Sequence, residues 1–139
     1  MNTIVVDSSV ILKWLNRSNE ESLRQADLVV QDAIDLKTEI VVPELAKYEI
    51  GNALMKKRLA IQEANVSFAT FYSLPLTFVS ESEDMALQTY SLACNLGITY
   101  YDASFLSLAK QYNAVLVTEN VKHQGKTNKV KVIPLKNYA

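Results

Sequence analysis

The stretch Thr3-Ile4-Val5-Val6-Asp7-Ser8-Ser9 decides how the rest of the chain reads. Three successive β-branched residues without polar alternation are the pattern of a strand buried on both faces, as in parallel sheets covered by helices. A carboxylate directly after such a strand sits at its carboxyl end, where open α/β sheets assemble their sites. Asp7 or Ser8 can equally cap a following helix, an ordinary role that contributes about 1 kcal/mol. The residues alone leave both readings open.

Working outward, the same signature recurs at 40–42, 76–79, 115–117 and 130–133, so five strands are expected. Helical patterns fill the intervals at about 9–15, 20–36, 43–59, 62–73, 81–95 and 102–112. Pro43 is expected to open a helix, Gly97 to end one, and Pro75 to part a helix from the third strand. This alternation predicts an α/β fold with helices on both faces of a parallel sheet. The stretch 125–129 lacks apolar anchors and is expected as a loop.

At 139 residues, with 49% hydrophobic and 21% charged, the chain suits one globular domain over 1–139 that needs neither disulfides nor a structural metal. Cys94, the sole cysteine, neighbours Leu92, Ala93 and Leu96 and is expected to be buried. The N-terminus has no charged n-region, and no apolar run approaches the roughly 18 residues of a membrane span. A cytoplasmic protein is therefore expected. A formal charge of -1 gives no global attraction to nucleic acid, so any such binding must come from local basic surface or bound metal. Lys56-Lys57-Arg58 forms one basic cluster, and Lys122-His123 with Lys126, Lys129 and Lys131 another. Their plainer reading is a solvated helix end and a guarded edge strand.

Further acids fall at telling positions. At 100° per residue, Leu45, Glu49, Asn52 and Lys56 share one helical stripe beside the core stripe of Ala46, Ile50, Ala53 and Leu54. Asp102 opens a helix along the face of Phe105, Leu106, Ala109 and Tyr112, and a charge there needs a partner. Thr118-Glu119-Asn120 follows the run 115–117 at the same kind of strand end as Asp7. Each has a bland alternative: a boundary residue for Glu49, a first-turn charge for Asp102, a turn with an N-cap for 118–120. Together they have one chemical meaning, because converging carboxylates do not all stay ionised without a compensating cation. Mg²⁺ or Mn²⁺ suits such hard oxygen ligands. With His123 the only histidine and no Gly-rich phosphate loop, zinc and nucleotide-loop chemistry find no support.

The ordered set Val5-Val6-Asp7-Ser8-Ser9, Pro43 with Glu49 and Asn52, Thr99-Tyr100-Tyr101-Asp102-Ala103 with Phe105, Leu108 and Ala109, then Leu116-Val117-Thr118-Glu119-Asn120 resembles a PIN domain. The likeness spans nearly the whole chain and is strongest to the VapC toxins of toxin–antitoxin pairs. It implies a three-layer α/β/α sandwich with a parallel five-stranded sheet in the order 3-2-1-4-5. It also implies that Asp7, Glu49 and Asp102 are the metal-binding acids, with Ser8, Asn52 and Thr118 as polar support. Where the family commonly has a fourth Asp the chain has Asn120, preceded by Glu119, which leaves one or two metal ions open.

The function these readings imply is hydrolysis of RNA phosphodiester bonds by a Mg²⁺- or Mn²⁺-activated water, with Asn120 completing the catalytic set. The resemblance further implies a cognate antitoxin and a homodimer as partners, and no membrane. Lys13, Lys56, Lys57, Arg58 and the 122–131 region are candidates for gripping RNA. Tyr100, Tyr101 and Trp14 are either base-stacking or packing residues, and the apolar positions Ile11, Leu12, Trp14 and Leu15 favour a partner surface over core. Rival expectations are a PIN-fold ribonuclease of RNA maturation or decay, a non-catalytic PIN module binding RNA or protein, and a phospho-accepting receiver-like switch. The last fits poorly, lacking a second acid beside Asp7 and a late strand ending in Lys.

Overall fold

The computed structural model describes residues 1–17, 21–127 and 129–139, with the side chains of residues 123 and 124 excluded. Five strands, β1 (Asn2–Val6), β2 (Thr38–Pro43), β3 (Leu76–Val79), β4 (Val115–Thr118) and β5 (Val132–Pro134), form one sheet. All its pairings are parallel, in the order β3-β2-β1-β4-β5. The order expected from the family resemblance holds.

Connection handedness then distributes the helices. Parallel crossovers are right-handed, so connections running from β1 out to β3 pack on one face and those returning through β4 to β5 pack on the other. The first group is α1 (Ser8–Leu15), α2 (Leu23–Ile34), α3 (Leu45–Lys56) and α4 (Ile61–Ser73), gathered around α1. The second is α5 (Glu83–Leu96), α6 (Tyr100–Gln111) and the short α7 (Val121–Gln124), gathered around α6, which lies over β1, β2 and β4. The result is a three-layer sandwich.

Burial follows the sheet. Val5, Val6, Ile40, Val42, Leu116 and Val117 are inaccessible or nearly so, as the unalternating runs require. Helix α6 is buried at every position from Ala103 to Ala109 because it lies between the sheet and α5. It is a central helix, not the amphipathic one expected.

Several local expectations need correction. Pro43 ends β2, paired with Val79, instead of opening α3. Asp102 lies within the first turn of α6, because Thr99 is the N-cap and its hydroxyl accepts from the Asp102 N–H at 3.0 Å. Cys94 is exposed: Met85, Thr89, Leu92 and Leu96 form the inward stripe of α5, and Cys94 lies on the opposite side. Helix α1 belongs to the core, with Val10, Ile11 and Trp14 buried and Leu12 and Leu15 packed against it, so it offers no partner surface. The Trp14 indole donates to the Ala26 carbonyl at 2.8 Å, which makes it a packing residue. The fifth strand starts two residues later than expected, and α7 had no periodic signal in four residues. Gly97, at φ 65, ends α5 as expected. The expected start of α2 at Glu20, the side chain of His123, and Asn128 in the 125–129 loop lie outside what is described. Among the described residues no helix is long and apolar enough to cross a membrane.

Candidate active site

Asp7 leaves β1 at its carboxyl end, where its N–H donates to the Val117 carbonyl of β4 at 3.3 Å. Its carboxylate caps α1, Oδ1 accepting from the N–H groups of Ser9 at 3.1 Å and Val10 at 3.4 Å. Two hydroxyls also donate to it, Ser9 to Oδ1 and Thr118 to Oδ2. Each hydroxyl is in turn backed by the chain after β4: Glu119 N–H donates to Ser9 Oγ at 3.1 Å, and Asn120 N–H to Thr118 Oγ1 at 2.7 Å. A hydroxyl that accepts an N–H directs its single proton elsewhere, here to Asp7. Capping and site-building are thus the same set of contacts. Their effect is electrostatic, since Asp7 is only 5% exposed. Burial pushes its carboxyl above the ordinary range, the hydrogen bonds from Ser9, Thr118 and Val10 pull it down, and the nearby charge of Asp102 pushes it up again.

Glu49 approaches from α3, half-buried, and its Oε1 accepts from the Ser8 hydroxyl at 2.8 Å. Its carboxyl is also raised, by burial first and then by the charges of Asp102 and Asp7, against the pull of the Ser8 hydrogen bond. Asp102, in the first turn of α6, therefore feels both other acids. Residues far apart in sequence meet because the carboxyl ends of β1 and β4 are neighbours and α3 and α6 begin at that same edge.

The donor set fits a hard divalent cation. Asp7, Glu49 and Asp102 are three mutually repelling carboxylates, and two of them are raised by that repulsion as well as by burial. They do not form a closed cage, since among the described residues no three His, Cys, Asp or Glu side chains gather tightly enough to hold an ion as they stand. Asp7, Glu49 and Asp102 are the residues that would hold it.

The expected supporting residues divide. Ser8 and Thr118 join the site, bonding Glu49 and Asp7 respectively. Asn120 contributes through its backbone, and its side chain does not cap α7. Glu119 ion-pairs through its carboxylate with Lys13 at 3.5 Å. Asn52 is exposed on α3, and among the described residues its side chain makes no hydrogen bond to the acids. Lys13 is buried, donating to the Glu21 carbonyl at 2.8 Å, so it is not the RNA-gripping residue that the sequence suggested. Sequence reasoning missed Ser9. Its signal was a hydroxyl two residues after an acid at a helix start, where such side chains turn back on the cap.

The family model of the PIN domain matches residues 4–127. No curated protein matches. Among solved structures the chain is similar to VapBC2 from Rickettsia felis bound to a DNA fragment from its promoter, at 17% identity and a TM-score of 0.72, covering 95% of this chain and 98% of that one. It is also similar to PAE2754 from Pyrobaculum aerophilum, at 21% identity and a TM-score of 0.71, covering 97% and 90%. A third is VapC20 from Mycobacterium tuberculosis, described as a sarcin-ricin loop cleaving toxin, at 14% identity and a TM-score of 0.64, covering 84% and 87%. At these identities the likeness is one of fold.

Proposed function

Because this chain belongs to the PIN domain family, we propose that it is a Mg²⁺- or Mn²⁺-dependent endoribonuclease and the toxin of a toxin–antitoxin pair. One observation carries the reading. A buried, fully hydrogen-bonded Asp7 lies within electrostatic reach of Asp102, as does Glu49, at the carboxyl edge of a parallel sheet. A fold has little reason to converge three carboxylates there unless the site uses them.

In this reading Asp7, Glu49 and Asp102 hold the cation within a single PIN-like domain spanning residues 1–139. A bound divalent ion would lower the pKa of a water and offset charge on the reacting phosphate. The chain's own residues prepare that site. Ser9 and Thr118 keep Asp7 an acceptor, Ser8 orients Glu49, and the Thr99 cap fixes the turn carrying Asp102. Asn120 offers an amide without charge, which favours one tightly held ion over two. The exposed Lys56, Lys57 and Arg58, with Lys122, Lys126, Lys129 and Lys131, supply the positive surface for RNA that a net charge of -1 does not.

Partner binding draws on a different face. Tyr48 and Met55 on α3 and Ile61 and Tyr72 on α4 are more than half exposed, an apolar surface suited to a cognate antitoxin or a second copy of the chain. Structural neighbours include toxin–antitoxin complexes, which supports the antitoxin reading. A cytoplasmic location accompanies it.

The test is cleavage of total cellular RNA by the purified protein with Mg²⁺, Mn²⁺ or chelator, beside Asp7→Asn. Discrete fragments that need both the metal and Asp7 are expected. Full cleavage by Asp7→Asn, or cleavage unaffected by chelation, would remove this reading.

A further inference from the structure

A partly open cavity of about 150 Å³ lies at the carboxyl edge of the sheet and is not used by the contacts described above. Its walls include Pro43 and Val79 at the carboxyl ends of β2 and β3, Leu45 of α3, Met85 of α5, and Tyr101 and Ser104 of α6. Tyr100, Glu44 and Glu81 supply its polar groups. Helices α3 and α6 are the two that also carry Glu49 and Asp102. Leu45 precedes Glu49 by one helical turn, about 5.4 Å, and Tyr101 adjoins Asp102 in the chain. The cavity and the acids therefore share both helices.

We propose that this cavity is a nucleobase subsite that takes one unstacked, amino-bearing base of the RNA, next to the scissile phosphate, between Tyr101 and the Tyr100–Glu81 pair. The proposal rests on the nuclease reading and adds a source of sequence preference to it. Single-stranded RNA is recognised by stacking unpaired bases on aromatic rings and hydrogen-bonding their edges. Tyr101 is 59% exposed although its helix is otherwise a core helix, so the ring is available for stacking.

The polar groups set the chemistry. Tyr100 donates its hydroxyl to Glu81 Oε1, the direction a phenol facing a carboxylate takes. A carboxylate has two oxygens, which leaves Glu81 the capacity to accept from the amino group of adenine, cytosine or guanine. Uracil has no such group. Glu44 adds little repulsion because Lys47 pairs with it at 3.0 Å. An apolar side chain of a protein partner is the weaker fit, since it would desolvate Glu81 and Tyr100 without bonding either.

Two experiments test the subsite. In the first, the full chain labelled with ¹⁵N is titrated without metal with cytidine and with uridine, nucleosides that carry no phosphate for the acids to repel. Amide shifts centred on Leu45, Tyr101 and Ser104, larger with cytidine, are expected. No shifts with either nucleoside overturn the proposal, and so do shifts produced only by an apolar peptide. In the second, cleavage is mapped on RNAs randomised around the cut. The wild type should disfavour uracil at one neighbouring position. Tyr101→Ala should raise KM about tenfold, well above its effect on kcat, as loss of one stacked base implies. Glu81→Gln should relax the discrimination against uracil. Both positions are exposed, so neither variant endangers the fold. Unchanged base preference in both variants, with cleavage still dependent on Asp7, overturns the subsite alone. Failure of the wild type to cleave overturns the nuclease reading, and the nucleoside titration still decides the cavity.

Discussion

The two halves of the acid site are built differently. Around Asp7 the structure is dense: two N–H groups, two hydroxyls and two further N–H groups behind them surround the buried carboxylate. Around Glu49 it is sparser, with one hydroxyl on a half-buried carboxylate. The difference teaches where the fold spends its order. The β1–β4 edge is fixed by backbone pairing, so hydroxyls there hold one carboxylate rigidly. Glu49 and Asp102 are instead carried by two separate helices, α3 and α6.

The largest expected effect tests whether both halves serve one reaction. Asp7→Asn and Asp102→Asn should each lower cleavage at least about 10²- to 10³-fold, the usual scale for removing one preorganised electrostatic group. Their melting temperatures should be unchanged or raised, because each removes a carboxylate from a repelling set. Retained full activity in both would break the site apart.

Smaller effects sharpen the contrast in order. Ser9→Ala removes a hydroxyl bonded to the buried Asp7 carboxylate, so denaturant titration should show a loss of about 1.5 to 3 kcal/mol. Ser8→Ala, whose partner Glu49 is half-buried, should lose about 0.5 to 1 kcal/mol in the same measurement. Equal losses would mean that the two halves are not built differently.

Proton linkage gives the last test. The folded-state pKa of Asp7 is raised above its ordinary 3.8, so the folded protein binds the proton more tightly than the unfolded chain. Stability from this group is therefore full below 3.8 and is lost as pH rises through the raised folded value. Glu49 acts in the same direction from its ordinary 4.5. The gap in melting temperature between Asp7→Asn and the metal-free wild type should widen in favour of Asn across that window. A gap that narrows as pH rises would show that the hydrogen bonds to Asp7 outweigh its burial.

Much of this was legible early. The unalternating runs placed all five strands: burial on both faces leaves little room for polar positions in β1, β2 and β4, while the edge strands β3 and β5 are only partly buried. The family likeness supplied their order, which composition and periodicity do not contain. Helix ends were less legible: Pro43 fitted either a strand end or a helix start, and the β2–β3 pairing decided it. Cys94 and α1 misled for a common reason. Apolar neighbours in sequence do not share a helix face, whereas a short helix surrounded by three others is buried on most sides.

By itself the sequence determined the strand runs, the acids at the ends of elements, and the charge problem that a cation resolves, since these depend on residue type and local period. Only the tertiary structure decided that Ser9 and Thr118 grip Asp7 from residues 111 apart in the case of Thr118, that Lys13 pairs with Glu119, and that Tyr101 borders a cavity. Those outcomes depend on which strand ends become neighbours, and neighbourhood is set by the packing of the whole sheet and its two helical layers.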